Sequence, residues 1–253
     1  MTHFKLPAPE LSYLKEVDID LDMTGRHYVK ISTSEGQLAE QVIMDVLSDL
    51  IKQDAYDLTM EEMRYLFMMV KINSLENDFS VTITCTHKKA DGTPCGHTQT
   101  EKIKLSDADL KRTPKGYKVP VIKFVGFDGV EKEYEVRPPK IKDEIELMTW
   151  FMNDLGKTHE EIAKDKDTAF HYTFVRGLLH LQRNGEPLIK ETNEFPDALS
   201  LLDKNHYSTV GKLYKAMEEV NSFGIAKKVN ECKCKECGGT LVFAPPLLYG
   251  LVD

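Results

Sequence analysis

No stretch of this 253-residue sequence is apolar for long enough to cross a bilayer, which excludes a helical membrane span. The familiar marks of catalysis are missing as well. There is no glycine-rich phosphate loop, no Gly-x-Ser-x-Gly elbow, no His-Glu-x-x-His helix and no His-x-Glu…Pro-Cys-x-x-Cys pattern. These absences remove the common routes to nucleotide-dependent, serine-nucleophile and zinc-hydrolase chemistry. Basic charge is in deficit, with 33 Lys and Arg against 41 Asp and Glu and a net charge of −8. Nucleic-acid binders usually carry a basic face, so the balance counts against that role. Met1-Thr-His-Phe-Lys-Leu-Pro7 lacks the apolar core of a signal peptide, and the expected compartment is the reducing cytoplasm.

Cysteine is scarce and clustered. All five residues fall in two short stretches, Cys85 to Cys95-Gly96-His97 and Cys232-Lys-Cys234-Lys-Glu-Cys237-Gly238. A Cys followed by Gly at the end of a short Cys loop is the pattern of a zinc knuckle. The glycine lets the backbone turn so that its N–H groups face sulfur. One reading pools Cys85, Cys95, Cys234 and Cys237 around a single structural zinc ion, with Cys232 as a spare or alternate ligand. A second closes the first half on itself through Cys85, His87, Cys95 and His97. A third gives Cys232, Cys234 and Cys237 a distant partner such as His206. The bland reading leaves the thiols simply reduced. The shared four-thiolate site is preferred, because two hairpin tips can each supply two donors. A catalytic zinc would need an open position and a nearby base, and neither is evident.

Hydrophobic periodicity orders the rest. Residues 1–35 read as an extended arm with a strand or two, including the alternating run Tyr28-Val-Lys-Ile31. Leu38, Val42, Ile43, Val46, Leu47, Leu50 and Ile51 form a 3.6-residue stripe, hence a helix. Thr59-Met-Glu-Glu62 is a capping box that opens a second. Phe79–Cys85 and Thr98–Leu105 predict a hairpin with the first knuckle at its tip. Asp128-Gly129 predicts a second hairpin over 119–136. Helices follow over 143–155 up to Gly156, from the Thr158-His-Glu-Glu161 capping box, over 170–183 up to Asn184-Gly185, and over 208–223. The chain returns to β over 225–229 and 240–243, around the second knuckle. The expected fold class is α+β: a helical body with β-hairpins and a zinc-ribbon-like element made from two distant Cys knuckles. Its parts are 1–78, an arm and helical segment; 79–137, the β-hairpin region; 138–224, helical; and 225–253, the second knuckle and an apolar tail. Together they read as one composite domain. The tail, Pro245-Pro-Leu-Leu-Tyr-Gly-Leu-Val-Asp253, is a candidate docking element, on its own domain or on a neighbour.

The order of these pieces resembles the T4-type bacteriophage baseplate hub and hub-assembly proteins. The matching residues run from Leu58-Thr-Met-Glu-Glu-Met-Arg-Tyr-Leu-Phe through Phe79-Ser-Val-Thr-Ile-Thr-Cys85 to Cys95-Gly96-His97. At the far end they are Cys234-Lys-Glu-Cys237-Gly238 and Phe243-Ala-Pro-Pro-Leu247. The likeness covers about residues 38–110 and 195–253. The long Cys85–Cys95 loop and the extra Cys232 depart from it. The resemblance implies a non-catalytic structural or assembly component of the hub of a contractile-tailed phage. Its partners would be other baseplate or tail hub proteins, and its place the virion baseplate or the host cytoplasm during assembly. The alternative is a zinc-ribbon nucleic-acid-binding or transcription accessory factor, with His87, Lys88 and Lys89 touching phosphate.

Overall fold

The structure is a computed structural model, described over residues 2–14, 16–32, 39–51, 53–74, 78–104, 106, 108–225 and 231–242. It is α+β, with small antiparallel sheets set among helices. Strand β1 (Thr2–Lys5) pairs with β2 (Glu16–Ile19), which buries Val17 and Ile19 in strict alternation. The alternating run after them is not a strand. It lies in helix α1 (Gly25–Ser32). Four alternating residues fit one helical turn as well as a strand, and the local capping decides. The Thr24 N–H donates to His27 Nδ1 at 3.0 Å while the His27 N–H donates to the Thr24 carbonyl.

Helix α2 (Ala39–Ile51) buries Val42, Ile43, Val46, Leu47, Leu50 and Ile51 as the stripe requires; Leu38 lies outside the described residues. The capping box ahead of α3 (Met60–Ser74) is formed. The Thr59 N–H donates to Glu62 Oε2 at 2.9 Å, and the Glu62 N–H returns to Thr59 Oγ1 at 3.4 Å.

The second hairpin is β6 (Val121–Val125) with β7 (Glu131–Val136), turning at Gly129 with a φ of 74°. Helices α4 (Ile141–Leu155) and α5 (His159–Lys164) follow, the first stopped by Gly156 in the left-handed region. Helix α6 (Lys166–Leu179) ends earlier than its stripe suggested. Leu181–Arg183 is a strand, β8, paired with β7. Asn184-Gly185 is the turn into β9 (Glu186–Pro187), with φ of 54° and 82°. Leu181 is buried whether it sits in a helix or a strand, so hydrophobic period alone misplaces it. Two successive positive φ values and the waiting edge of β7 make it a hairpin. The sheet order is β6-β7-β8-β9.

Short helices α7 (Phe195–Ala198) and α8 (Leu201–Lys204) lead into α9 (Tyr207–Val220). Strand β10 (Gly224–Ile225) then pairs with β5 (Leu110–Lys111).

Two apolar clusters carry the body. One gathers Phe124, Val136, Leu147, Phe174, Leu178 and Leu213 between the four-stranded sheet, α4, α6 and α9. The other gathers Val17, Leu47, Leu66 and Phe67, and takes Ile141 from α4.

Within the first body of helices lies His180, fully buried. Its Nδ1–H donates to the Arg176 carbonyl at 3.0 Å, and its Nε2 accepts from Asn221 Nδ2 at 3.0 Å. Desolvation pushes its pKa down from 6.5 to about 4. The unfolded chain therefore takes a proton near pH 6.5 that the folded chain refuses until about pH 4. Stability is intact above that window and falls as pH drops through it, by about 3 kcal/mol at most. Urea unfolding at neutral pH and near the bottom of the window checks this. The loss should shrink in His180→Gln.

Candidate metal centre

Strand β3 (Asp78–Thr84) pairs with β4 (Thr98–Lys104), Thr84 opposite Thr98. The ladder continues past the strand ends. The Cys85 N–H donates to the His97 carbonyl at 2.8 Å, and the Cys95 N–H to the His87 carbonyl at 2.7 Å. The long loop between the two cysteines is itself a small hairpin, bridged at Lys88 and Pro94 and turned at Gly92. Its length therefore extends the tip without disturbing the knuckle. Far along the chain, β11 (Glu231–Lys233) pairs with β12 (Thr240–Val242) around the second knuckle.

The two knuckles close alike. The Gly96 N–H donates to the Cys85 carbonyl at 3.1 Å, and the Gly238 N–H to the Cys234 carbonyl at 2.8 Å. Both glycines have positive φ, 61° and 71°, which a side chain would strain.

The tips meet. Cys85 Sγ lies 3.6 Å from Cys237 Sγ, and Cys95 Sγ lies 3.8 Å from Cys234 Sγ. All four sulfurs fall within 4.8 Å of one another. A tetrahedron with metal–sulfur bonds of about 2.3 Å has edges of about 3.8 Å, whereas a disulfide needs about 2.05 Å. The spacing fits a four-thiolate cage and not a pair of disulfides. Its electrostatics ask for a cation. Burial pushes the Cys85 thiol up to about 12, with the neighbouring thiols adding to the shift. The N–H groups of Cys237 and then Glu236 pull Cys234 down to about 6. Four thiolates cannot share so small a space without positive charge among them.

Other sequence candidates fall outside the cage. His87 Nδ1 is 3.5 Å from Cys85 Sγ, but its ring packs against Gly239, where a Cβ would fall 2.8 Å from it. His97 contributes its carbonyl to the ladder. Cys232 pairs with Leu241 across the β11–β12 hairpin and takes a contact from Gln99 Nε2 at 3.8 Å. His206 caps α9, accepting from the Ser208 N–H at 3.2 Å.

Gln99 is the residue that motif reading passed over. It is buried, and it sews the two knuckles together. Its Nε2 donates to the Lys233 carbonyl at 2.9 Å, and its Oε1 accepts from the Lys235 N–H at 2.8 Å. A signal was present in the alternation of β4. Thr98 and Thr100 form an outward ladder with Thr84 and Thr82, which leaves Gln99 facing inward, opposite Ile83. Lys89–Glu236 at 3.2 Å and Lys235–Glu101 at 2.6 Å add ion pairs across the same seam.

The family model described as T4 bacteriophage base plate protein matches residues 23–243. The chain belongs to this family. No curated protein and no solved structure matches it. The match spans both knuckles and the helical body between them, so the clustered cysteines belong to the part of this baseplate protein that the family shares. Baseplate proteins work among other baseplate proteins. No helix among the described residues is long and apolar enough to cross a membrane.

Proposed function

We propose that the chain is a non-catalytic structural or assembly component of the baseplate hub, held together by one structural zinc ion on Cys85, Cys95, Cys234 and Cys237. The observation that carries the metal is the four-sulfur cluster, assembled from segments 139 and 152 residues apart in sequence. Soft thiolates in a closed tetrahedral set suit zinc, and a closed set leaves no position for substrate. The ion would supply folding energy and a cross-link, tying the first hairpin to the far end of the chain. The divisions 1–78, 79–137, 138–224 and 225–253 then act as parts of one composite unit. The β5–β10 pair and the shared Ile141 support that reading.

Zinc content and X-ray absorption at the zinc edge test the site. One zinc per chain with four sulfurs is expected; nitrogen in the shell would return His87 or His97 to the ligand set. The hub role is tested in infected cells lacking the chain. Complete hubs should be restored by wild type and not by Cys237→Ser. The seam makes a separate prediction. Gln99→Ala leaves the Lys233 carbonyl and the Lys235 N–H without their partner. The expected cost is about 1–3 kcal/mol, read as about ten- to hundredfold weaker zinc retention against a chromophoric chelator.

A further inference from the structure

The hairpin of β3 and β4 is a sheet of two strands, so each strand has an outer edge. The ladder beyond the strands fixes which residues lie on it. The Cys85 N–H donates to the His97 carbonyl, and the Cys95 N–H to the His87 carbonyl. In the same register, the backbone groups of Ile83 and Gln99, and of Val81 and Glu101, face each other. The pairs between them, Ser80–Lys102, Thr82–Thr100 and Thr84–Thr98, point their N–H and C=O groups outward. Among the described residues, no hydrogen bond reaches those outward groups on Ser80, Thr82 and Thr84.

A bare strand edge is a template for another strand, and proteins guard such edges with charge, proline, bulges or short length. The other edges here are guarded. β4 carries Glu101, Lys102 and Lys104. His3 of β1 pairs with Glu16 and Asp18 of β2. Asn205 closes β6 by accepting from the Val125 N–H at 2.9 Å and donating to the Val125 carbonyl at 3.0 Å. β9 ends at Pro187, and β5, β10, β11 and β12 have two or three residues each. β3 has none of these from Phe79 onward. Phe79-Ser-Val-Thr-Ile-Thr84 holds no charge, proline or glycine, is rich in β-branched residues, and keeps one register along its length.

The segment is also its own complement. Laid antiparallel across a two-fold axis at Thr82, it sets Thr82 against the partner's Thr82. Ser80 then meets the partner's Thr84, and Val81 the partner's Ile83. Polar meets polar, β-branched meets β-branched, and no charge meets a like charge. The exposed face already makes the contact that this addition would repeat. Thr82 Oγ1 lies 3.1 Å from Thr100 Oγ1, and Thr84 Oγ1 lies 3.0 Å from Thr98 Oγ1.

We infer that β3 pairs antiparallel with β3 of a second copy of this chain, joining two hairpins into one four-stranded sheet. The outward residues Ser80, Thr82 and Thr84 supply the main-chain hydrogen bonds. The inference uses only the hairpin, so it does not need the hub role or the identity of the metal.

The test compares Thr82→Pro with Thr100→Pro in the full chain. Each proline removes an outward N–H, so each spares the β3–β4 ladder, and both lose the same Thr82–Thr100 contact. Only Thr82→Pro blocks the β3 edge. Sedimentation equilibrium from about 10 µM to about 1 mM suits so small an interface. Wild type and Thr100→Pro should pass from monomer to dimer over that range. Thr82→Pro should weaken the association about ten- to hundredfold. Limited proteolysis checks that 78–104 stays protected in both variants. If Thr82→Pro opens the hairpin, Thr82→Lys takes its place, because it sets two like charges at the axis. In wild type, amide exchange at Ser80, Thr82 and Thr84 should slow as concentration rises, while exchange at Thr98, Thr100 and Lys102 stays constant. A chain that remains monomeric, or a dimer that a folded Thr82 variant leaves unchanged, would overturn the pairing. Slow exchange at Ser80, Thr82 and Thr84 at every concentration would also overturn it, and would assign the edge to another segment of the same chain.

Discussion

Removing the metal, or replacing Cys237 with Ser, is expected to unfold the two-hairpin ribbon and leave the helical body standing. The ribbon's own apolar cluster consists of Cys85, Cys234 and Leu241, with Ile83, Cys95, Cys232 and Cys237 beside them. Without the thiolates' bonds to metal, Leu241 and Ile83 are nearly all that remains. Isolated two-stranded hairpins are marginal in water, and among the described residues these two are joined by little beyond that patch, the Gln99 bridge, the His87–Gly239 contact and two ion pairs. A structural zinc contributes on the order of 10 kcal/mol, more than such a patch can replace. The body, by contrast, is built on two larger clusters that contain no cysteine. Limited proteolysis with and without chelator reads the outcome. New cuts should appear within 78–104 and 231–242 while 108–225 stays protected, with little change in helical circular dichroism. If chelation melts everything together, the ribbon is an integral part of the body. If it changes nothing, the cysteines are ordinary buried thiols.

Part of this architecture was legible because it rests on local chemistry. The Cys-Gly spacing announced the knuckles. The capping boxes at Thr59 and Thr158 sit at the helix starts where the side chain and backbone demand them. Asp128-Gly129 makes the turn its residues favour. What sequence alone could not decide was settled by partners distant in the chain. Tyr28–Ile31 alternates like a strand, yet β1 takes β2 as its partner and the run folds into α1. Leu181 continues a helical stripe but meets the open edge of β7. The meeting of the two knuckles was one of several open ligand sets. Only the tertiary structure brings Cys85 beside Cys237 and sets His87 against Gly239. Gln99 escaped notice because its two partners lie more than a hundred residues away. The Pro-rich tail lies outside the described residues.

The seam also bears on the nucleic-acid alternative. A basic tip at His87, Lys88 and Lys89 was its main support. Lys89 is spent on Glu236, and the His87 ring is packed on Gly239. The electrostatic footprint that phosphate binding needs is thereby reduced at the place where it was expected.

Phe174→Ala is expected to cost about 3–5 kcal/mol, the largest loss from a single substitution in the body. Phe174 is fully buried on α6, at the centre of the cluster that joins the sheet to α4 and α9. The surroundings have little room to collapse into the void. One turn further along, Gly177 lets α6 approach α9 so closely that a Cβ there would meet Met217 Sδ at 3.1 Å and Leu213 Cδ2 at 3.3 Å. Helices already in such contact cannot move closer to fill a gap beside it, so most of the cavity should persist. For a chain of this size the cost corresponds to a fall in Tm of about 6–20 °C, and urea unfolding should show a lower midpoint with an unchanged slope. The control is one turn earlier on the same helix. Phe170 is 47% exposed, and Phe170→Ala should stay within about 0.5 kcal/mol. Because Phe174 and the thiolates belong to separate clusters, zinc content should be unchanged in Phe174→Ala. Loss of zinc in that variant would mean that body and ribbon fold as one cooperative unit, and the metal would then be stabilising the whole chain.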